Sequence, residues 1–340
     1  LTGKTSHRLA YYSQRLFTYM GFDSTYTMRM INDSHSVAIL GGSGFVGSEL
    51  CAQLTAAGYS VRVLTRHPQR CRHLKVLPSL SILPLAKYQA NTISQHASGC
   101  HALINLIGIL NEKGNNGKQF HDIHVGITRE ALNACEQASI PRLLQMSALN
   151  ADADGPSYYL SSKGKAENYI KTFTDESIDY TIFRPSVIFG ENDSFLNRFA
   201  SLLKIVPGFM PLACPNARFA PVYVGDVAKC MVQSIDDKST FNQAYNLCGP
   251  HTYTLKELVQ YTANVCGYKR VIIGLPDFLS RLQANIFEYI PGKPFSKDNY
   301  KSLQIDSVCE QCEPCPTSLQ AIAPTYLSRS VAVNFSYNAE

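Results

Sequence analysis

The 340-residue sequence predicts an α/β fold, a doubly wound parallel sheet with a smaller C-terminal lobe. Three observations predict it. Apolar runs of strand length alternate with helix-length segments across residues 35–190. The first strand and the first helix are joined by a turn with glycine at every third position, Gly41, Gly44 and Gly47. The links between elements are short, and no internal repeat or low-complexity tract interrupts them.

Ser36 opens the first strand, and Val37-Ala38-Ile39-Leu40 is an apolar run of buried-strand type. The helix that follows the glycines carries Leu50 and Leu54 at helical spacing and stops at Gly58. A strand, a glycine turn and a helix N-terminus in that order bring backbone N–H groups against a diphosphate, because side chains at the glycines would block its approach. Ser60-Val61-Arg62-Val63-Leu64-Thr65 reads as the second strand. An acid at its end would bind a free ribose 2′-hydroxyl. Arg66 stands there instead, and no Asp or Glu occurs between Glu49 and Glu112. Arg62, Arg70, Arg72, Lys75 and Lys87 share that interval. A 2′-phosphate is favoured, hence NADP(H) over NAD(H), with a solvated basic surface as the bland alternative.

Residues 81–85 form a short third strand, and 101–108 a fourth that is apolar throughout, as a central parallel strand should be. Asn111 to Gly117 is a polar loop; Phe120 to Ala138 has helical length; Arg142 to Ser147 is the fifth strand. Tyr158 to Phe173 reads as a helix with Tyr159 and Lys163 four apart on one face. A lysine beside a phenol favours the phenolate and can hold a ribose hydroxyl, so the pair suits proton transfer coupled to hydride transfer. Packing for Tyr159 and a surface charge for Lys163 are the alternatives.

The chain is 45% hydrophobic and 17% charged, enough to bury a large core. A net charge of +5 without a long basic run excludes nucleic acid as the main partner. No apolar stretch approaches the length of a membrane-crossing helix. Eleven cysteines, mostly scattered, read as reduced thiols of a cytoplasmic protein. Residues 1–34 read as a disordered leader with Met28 or Met30 as the start. Their Lys4, Arg8 and Arg15 also allow an organelle leader, and with it a mitochondrial matrix location in a eukaryote.

Seven stretches together resemble one family. They are Gly41-Gly42-Ser43-Gly44-Phe45-Val46-Gly47; Asn105 to Leu110 with Glu112-Lys113-Gly114; Ser147 to Asp152; Tyr159-x-x-x-Lys163; Phe183 to Gly190; Asp193 to Phe199; and Pro221 to Ala228. Over residues 35–305 the chain resembles the extended-to-atypical short-chain dehydrogenases/reductases, which include NAD-dependent epimerases and dehydratases. Within them it is similar to the group of the NADPH-binding alpha-9 accessory subunit of respiratory complex I and its bacterial relatives. The resemblance implies that Gly41, Gly44, Phe45, Val46 and Gly47 line the diphosphate and that Arg66 takes the adenine ribose phosphate. Leu106, Ile107 and Gly108 would line the riboses, and Pro185, Ser186 and Val187 would touch the nicotinamide. Tyr159 and Lys163 would be the catalytic pair, Lys163 also holding the cofactor. Ser147 is the available hydroxyl for a substrate oxygen, although it satisfies a strand end equally well. Ala148 follows it, and the loop to Tyr159 is shorter than active extended members carry. Both departures bear on turnover and leave cofactor binding untouched.

Residues 191–320 supply most of the substrate lobe, with 218–248 returning to the sheet and 321–340 as a tail. Asn197 and Arg218 are assigned to the substrate side, Arg218 by likeness to a phosphate-binding arginine of sugar-nucleotide members, with a surface ion pair as its alternative. Asp226 reads as a helix N-cap. Phe195 to Leu212 and Pro276 to Ile290 are apolar enough for a greasy substrate, a membrane-facing lid or a subunit interface, or simply for core. Cys309-x-x-Cys312-x-x-Cys315 has soft-metal spacing. Its Glu310, Glu313, Pro314 and Pro316 mark an exposed loop, and the reading is free thiols with no metal. The leading functional expectation is NADP(H)-dependent hydride transfer with an apolar carbonyl or quinone-like small molecule. The alternative is a non-catalytic NADPH-holding module of a respiratory or quinone-biosynthesis complex; sugar-nucleotide epimerase or dehydratase chemistry comes third.

Overall fold

A computed structural model describes residues 36–173, 177–290 and 293–328. Residues 1–34, expected to be a leader, and those beyond residue 328 lie outside the described residues. Eight parallel strands make the central sheet: β1 (Ser36–Leu40), β2 (Ser60–Thr65), β3 (Leu80–Pro84), β4 (Ala102–Asn105), β5 (Arg142–Met146), β6 (Asp179–Pro185), β7 (Gln243–Cys248) and β8 (Glu313–Pro314). Their order is β8-β7-β6-β5-β4-β1-β2-β3. The order reverses between β1 and β4, where Leu40 stands opposite Asn105, and such a switch point opens a crevice at the carboxyl ends of the strands. Every residue of β4 and β5 is buried, as a strand covered on both faces requires.

Helix α1 (Phe45–Ala56) covers one face, and α2 (Ala90–Ala97), α3 (Ile127–Ala138) and α4 (Tyr158–Lys171) cover the other. The small lobe is built from α5 (Leu196–Ile205), α7 (Leu255–Val265) and α10 (Leu319–Leu327). Between them in the chain lie α6 (Val224–Gln233), which packs with α1 through Val227 and Met231, and α8 (Asp277–Phe287) and α9 (Lys297–Ser302).

Several elements depart from expectation for local physical reasons. The fourth strand stops at Asn105, whose Oδ1 accepts the Ile107 N–H at 3.1 Å and turns the chain out of the sheet. The single helix expected over residues 120–138 is broken: an α turn (Lys118–His121) runs into a π turn (Asp122–Gly126) before α3. Residues 218–248 return to the sheet through α6 and β7, while the pieces at 218–219 and 222–223 pair with 253–254 and 188–189 outside it. Asp226 is not an N-cap. Helix α6 begins at Val224, and Asp226 in its first turn accepts from the N–H and hydroxyl of Thr317, both at 2.9 Å. The tail expected from residue 321 starts instead as part of α10, which buries Leu319, Ala323 and Leu327 in the lobe core. Of the apolar stretch at 195–212, Leu196, Ala200, Leu203, Met210 and Leu212 are core, and only Ile205 and Phe209 are large apolar side chains left exposed.

Candidate cofactor and catalytic site

The glycine turn is bare backbone by steric necessity. A Cβ on Gly47 would lie 2.4 Å from the Gly41 carbonyl oxygen. Gly41 has φ +87, and its Cβ would stand 3.2 Å from the Leu106 carbonyl carbon across the switch point. Gly44 caps α1 with no side chain, and the first turn of the helix holds no acid. The helix N-terminus therefore directs N–H groups and positive dipole outward without an internal anion. This edge fits a dinucleotide diphosphate. Phe45 and Val46 begin the helix, and the Phe45 ring sits 3.1 Å from where a Gly190 Cβ would be, which ties the turn to the small lobe. Leu106 donates its N–H to Leu40 O at 3.0 Å. A Cβ on Gly108 would lie 3.2 Å from Lys163 Nζ and 3.4 Å from His124 Nε2, so both heads reach the segment expected to line the riboses.

Arg66 is exposed immediately beyond β2, its guanidinium 5.0 Å over the Tyr88 ring. Arg62 is committed elsewhere: its Nη1 donates to the carbonyls of Ser98 (2.8 Å) and His96 (3.1 Å) at the end of α2. Among the described residues Arg66 has no carboxylate partner, which leaves its fork available to a phosphate.

Tyr159 and Lys163 occupy the start of α4. Lys163 is buried and donates to Met146 O at 3.1 Å; burial pulls its pKa down to about 8, with Glu167 opposing the shift. The half-buried Tyr159 ring stands edge-on to His124 (5.7 Å) and Phe120 (6.2 Å), and burial pushes its phenol up to about 12. Its hydroxyl has no hydrogen-bond partner among the described residues. Sequence reasoning missed His124. The π turn aims it inward, a placement that recurs at functional sites. Nε2 accepts the Ile109 N–H at 3.1 Å, which puts the ring proton on Nδ1 for donation to Ser162 Oγ at 2.8 Å. Ser162 in turn donates to Tyr159 O at 2.9 Å. Burial foremost, then the Lys163 charge, holds His124 down to about 2, so the ring is neutral.

The other expected residues are placed less openly. Ser147 donates its hydroxyl to Glu167 at 2.6 Å, and Glu167 is clamped by Arg184 and lies 3.6 Å from Lys171. Pro185 O accepts the Leu149 N–H (2.9 Å), Val187 O accepts the Val222 N–H (3.0 Å), and Ser186 Oγ donates to Ser307 O at 2.7 Å. Asn197 Nδ2 donates to the Glu191 and Asp193 carbonyls, bracing its own loop. Arg218 pairs with Asp306 at 2.8 Å on the surface, the ion-pair alternative.

A strap formed by residues 293–308 crosses this side. Lys293 donates to Gly114 O at 2.7 Å, and Ser302 Oγ to Ser157 Oγ at 2.8 Å. Asp298 accepts the N–H groups of Tyr158 (2.6 Å) and Tyr159 (3.1 Å), occupying the N-terminus of the helix that carries Tyr159 and Lys163. The cavity under it, lined in part by Glu112, Phe120, Tyr158 and Asp298, holds about 140 Å³. Pockets for small-molecule ligands begin near ~300 Å³.

The chain is 29% identical over 281 residues to alpha subcomplex subunit 9 of the mitochondrial NADH dehydrogenase (ubiquinone) 1 of Mus musculus, covering 79% of this chain and 72% of that one. The same subunit of Arabidopsis thaliana is 30% identical over 277 residues, covering 79% and 68%. Among solved structures, the UDP-glucuronic acid 4-epimerase of Bacillus cereus, in complex with UDP-glucuronic acid and NAD, superposes with a TM-score of 0.64 at 16% identity, covering 87% of this chain and 99% of that one; it shares the fold. The sequence profile of the NAD dependent epimerase/dehydratase family matches residues 37–248. With its switch-point glycine turn and these relatives, the chain belongs to the NAD dependent epimerase/dehydratase family.

Proposed function

We propose that this protein holds NADP(H) as a non-catalytic accessory module of a respiratory complex. Backbone groups of Gly41 to Gly47 bind the diphosphate, Arg66 takes the 2′-phosphate, and Lys163 holds a ribose hydroxyl beside Gly108. The observation that carries the reading is the contrast between a bare cofactor edge and the side under the strap, where Asp298 sits on the start of α4 and Ser147 is turned to Glu167. The relatives named as subunits of the mitochondrial NADH dehydrogenase support the partner and a mitochondrial location. So does the outer face of α8, where Phe278 (70% exposed), Leu282 (50%) and Ile286 (55%) recur at i, i+4 and i+8, with Tyr289 and Ile290 following. An apolar stripe of that length suits burial against a partner or a membrane surface. Among the described residues no helix is long and apolar enough to cross a membrane.

The test is to purify the protein, release bound nucleotide and identify it, then assay hydride transfer against a quinone and carbonyl panel. NADP(H) recovered with no turnover supports the module. Turnover that disappears in Tyr159→Phe would overturn it in favour of the second reading, an NADP(H)-dependent reductase of an apolar carbonyl or quinone-like molecule. That second reading is favoured by the unpartnered Tyr159 hydroxyl, positioned to hand a proton to a substrate oxygen as hydride reaches the adjacent carbon.

A further inference from the structure

The cysteine loop is not the exposed thiol cluster that its flanking residues suggest. Cys315 is buried in the core cluster against which Cys230 of α6 also packs. Cys309 and Cys312 fold back onto Cys248, the buried last residue of β7, and the three Sγ atoms all lie within 4.8 Å of one another. Cys248 Sγ stands 2.8 Å from Cys309 Sγ, and Cys309 is joined to Cys312 by a disulfide. Leu149, Ala220 and Val308 pack around the group. Three sulfurs from two segments 61 residues apart are thereby gathered on an apolar floor, and opening the disulfide would turn them into a soft-donor set.

We propose that, once reduced, Cys248, Cys309 and Cys312 form a tris-thiolate site for a zinc-type soft divalent cation, with an exchangeable fourth ligand. The site stands apart from the reading of the dinucleotide edge. A dithiol reductant opens it: two electrons and two protons pass to the Cys309–Cys312 sulfurs, their bond breaks, and the dithiol leaves as its own cyclic disulfide. The cation then displaces three thiol protons, one from each cysteine, so each ion bound releases three protons. Binding would staple the strap to the carboxyl end of the sheet, because the same segment carries Ser307 against Ser186 and Asp306 against Arg218.

The test uses the full-length chain, reduced and freed of metal, titrated with zinc and with cobalt(II). One equivalent of zinc should remain after desalting, about three protons should be released, and cobalt should give the intense thiolate charge-transfer bands of a sulfur-rich site. Cys248→Ser and Cys309→Ser should each weaken zinc binding by about a hundredfold, while Cys315→Ser should bind as the wild type does. Zinc should also protect Cys309 and Cys312 of the wild type from alkylation, a readout that needs no variant to fold. Equal zinc retention by wild type and Cys248→Ser, loss of binding in Cys315→Ser, or full alkylation in the presence of zinc would each overturn the proposal.

Discussion

The two ends of the cleft obey opposite rules. At the switch point the chain removes side chains: Gly41, Gly44 and Gly47 leave backbone and a helix terminus facing outward, and among the described residues no acid pairs with Arg66. Around Tyr159 it adds them. Asp298 covers amides, Glu167 accepts the Ser147 hydrogen bond, Ser307 meets Ser186, and Lys293 reaches across to Gly114. A site prepared to receive a ligand leaves donors free, whereas a site satisfied from within has its polar groups already paired. By that criterion one half of the cleft waits for a partner and the other is largely content without one.

The largest expected effect sharpens the first half. Gly47→Ala drives a methyl into Gly41 O and should lower stability by about 3 kcal/mol and remove dinucleotide binding. Gly44→Ala, whose added carbon would lie 3.2 Å from the same oxygen, should lose less than about 1 kcal/mol. Urea unfolding together with nucleotide titration reads both, and equal effects of the two variants would break the steric account. Next, Arg66→Ala should weaken NADP(H) by about tenfold or more while leaving NAD(H) within about twofold. Parallel losses for both cofactors would remove the phosphate clamp.

The second half is tested by pH. The His124 pKa is about 2 in the folded chain against the usual 6.5, so between those values the unfolded chain binds the extra proton. Its contribution to stability is present above pH 6.5 and declines as the pH falls, by up to ~1.4 kcal/mol per unit. His124→Gln should flatten the dependence of the urea midpoint on pH over that window; an unchanged slope would show that the ring is not held neutral. The smallest effect belongs to the strap. Asp298→Ala should cost about 1 kcal/mol and speed hydrogen exchange at the Tyr158 and Tyr159 amides, with nucleotide affinity unchanged. Undiminished protection of those amides would mean that the carboxylate does not hold the helix start.

The open half was legible in the sequence because its determinants are local. An apolar tetrapeptide, three glycines in register and an arginine at a strand end need no distant partner to be understood. Of the closed half, only the shared face of Tyr159 and Lys163 was legible, through helical spacing alone. Asp298 reaches its amides from 139 residues away, and Cys248 meets Cys309 across 61. The π turn has no residue signature; only the i, i+4 placement of Phe120 and His124 hinted that an imidazole belonged beside Tyr159. The apolar run through Ile109 concealed that a side-chain amide at Asn105 ends the strand. The alternation of helix and strand specified the layers, while the order β1 next to β4 followed from handed crossovers rather than from any single segment.

The two-residue strand Glu313–Pro314 has a consequence of its own. Leu247 and Cys248 would otherwise leave the β7 margin of the sheet as a row of unpaired backbone groups, the template on which foreign strands add. This short piece shields that margin, and its far neighbours Cys309 and Cys312 hold the approach to it. Whatever loosens those sulfurs from Cys248 should therefore be felt first as self-association of the protein, before any change in what it binds.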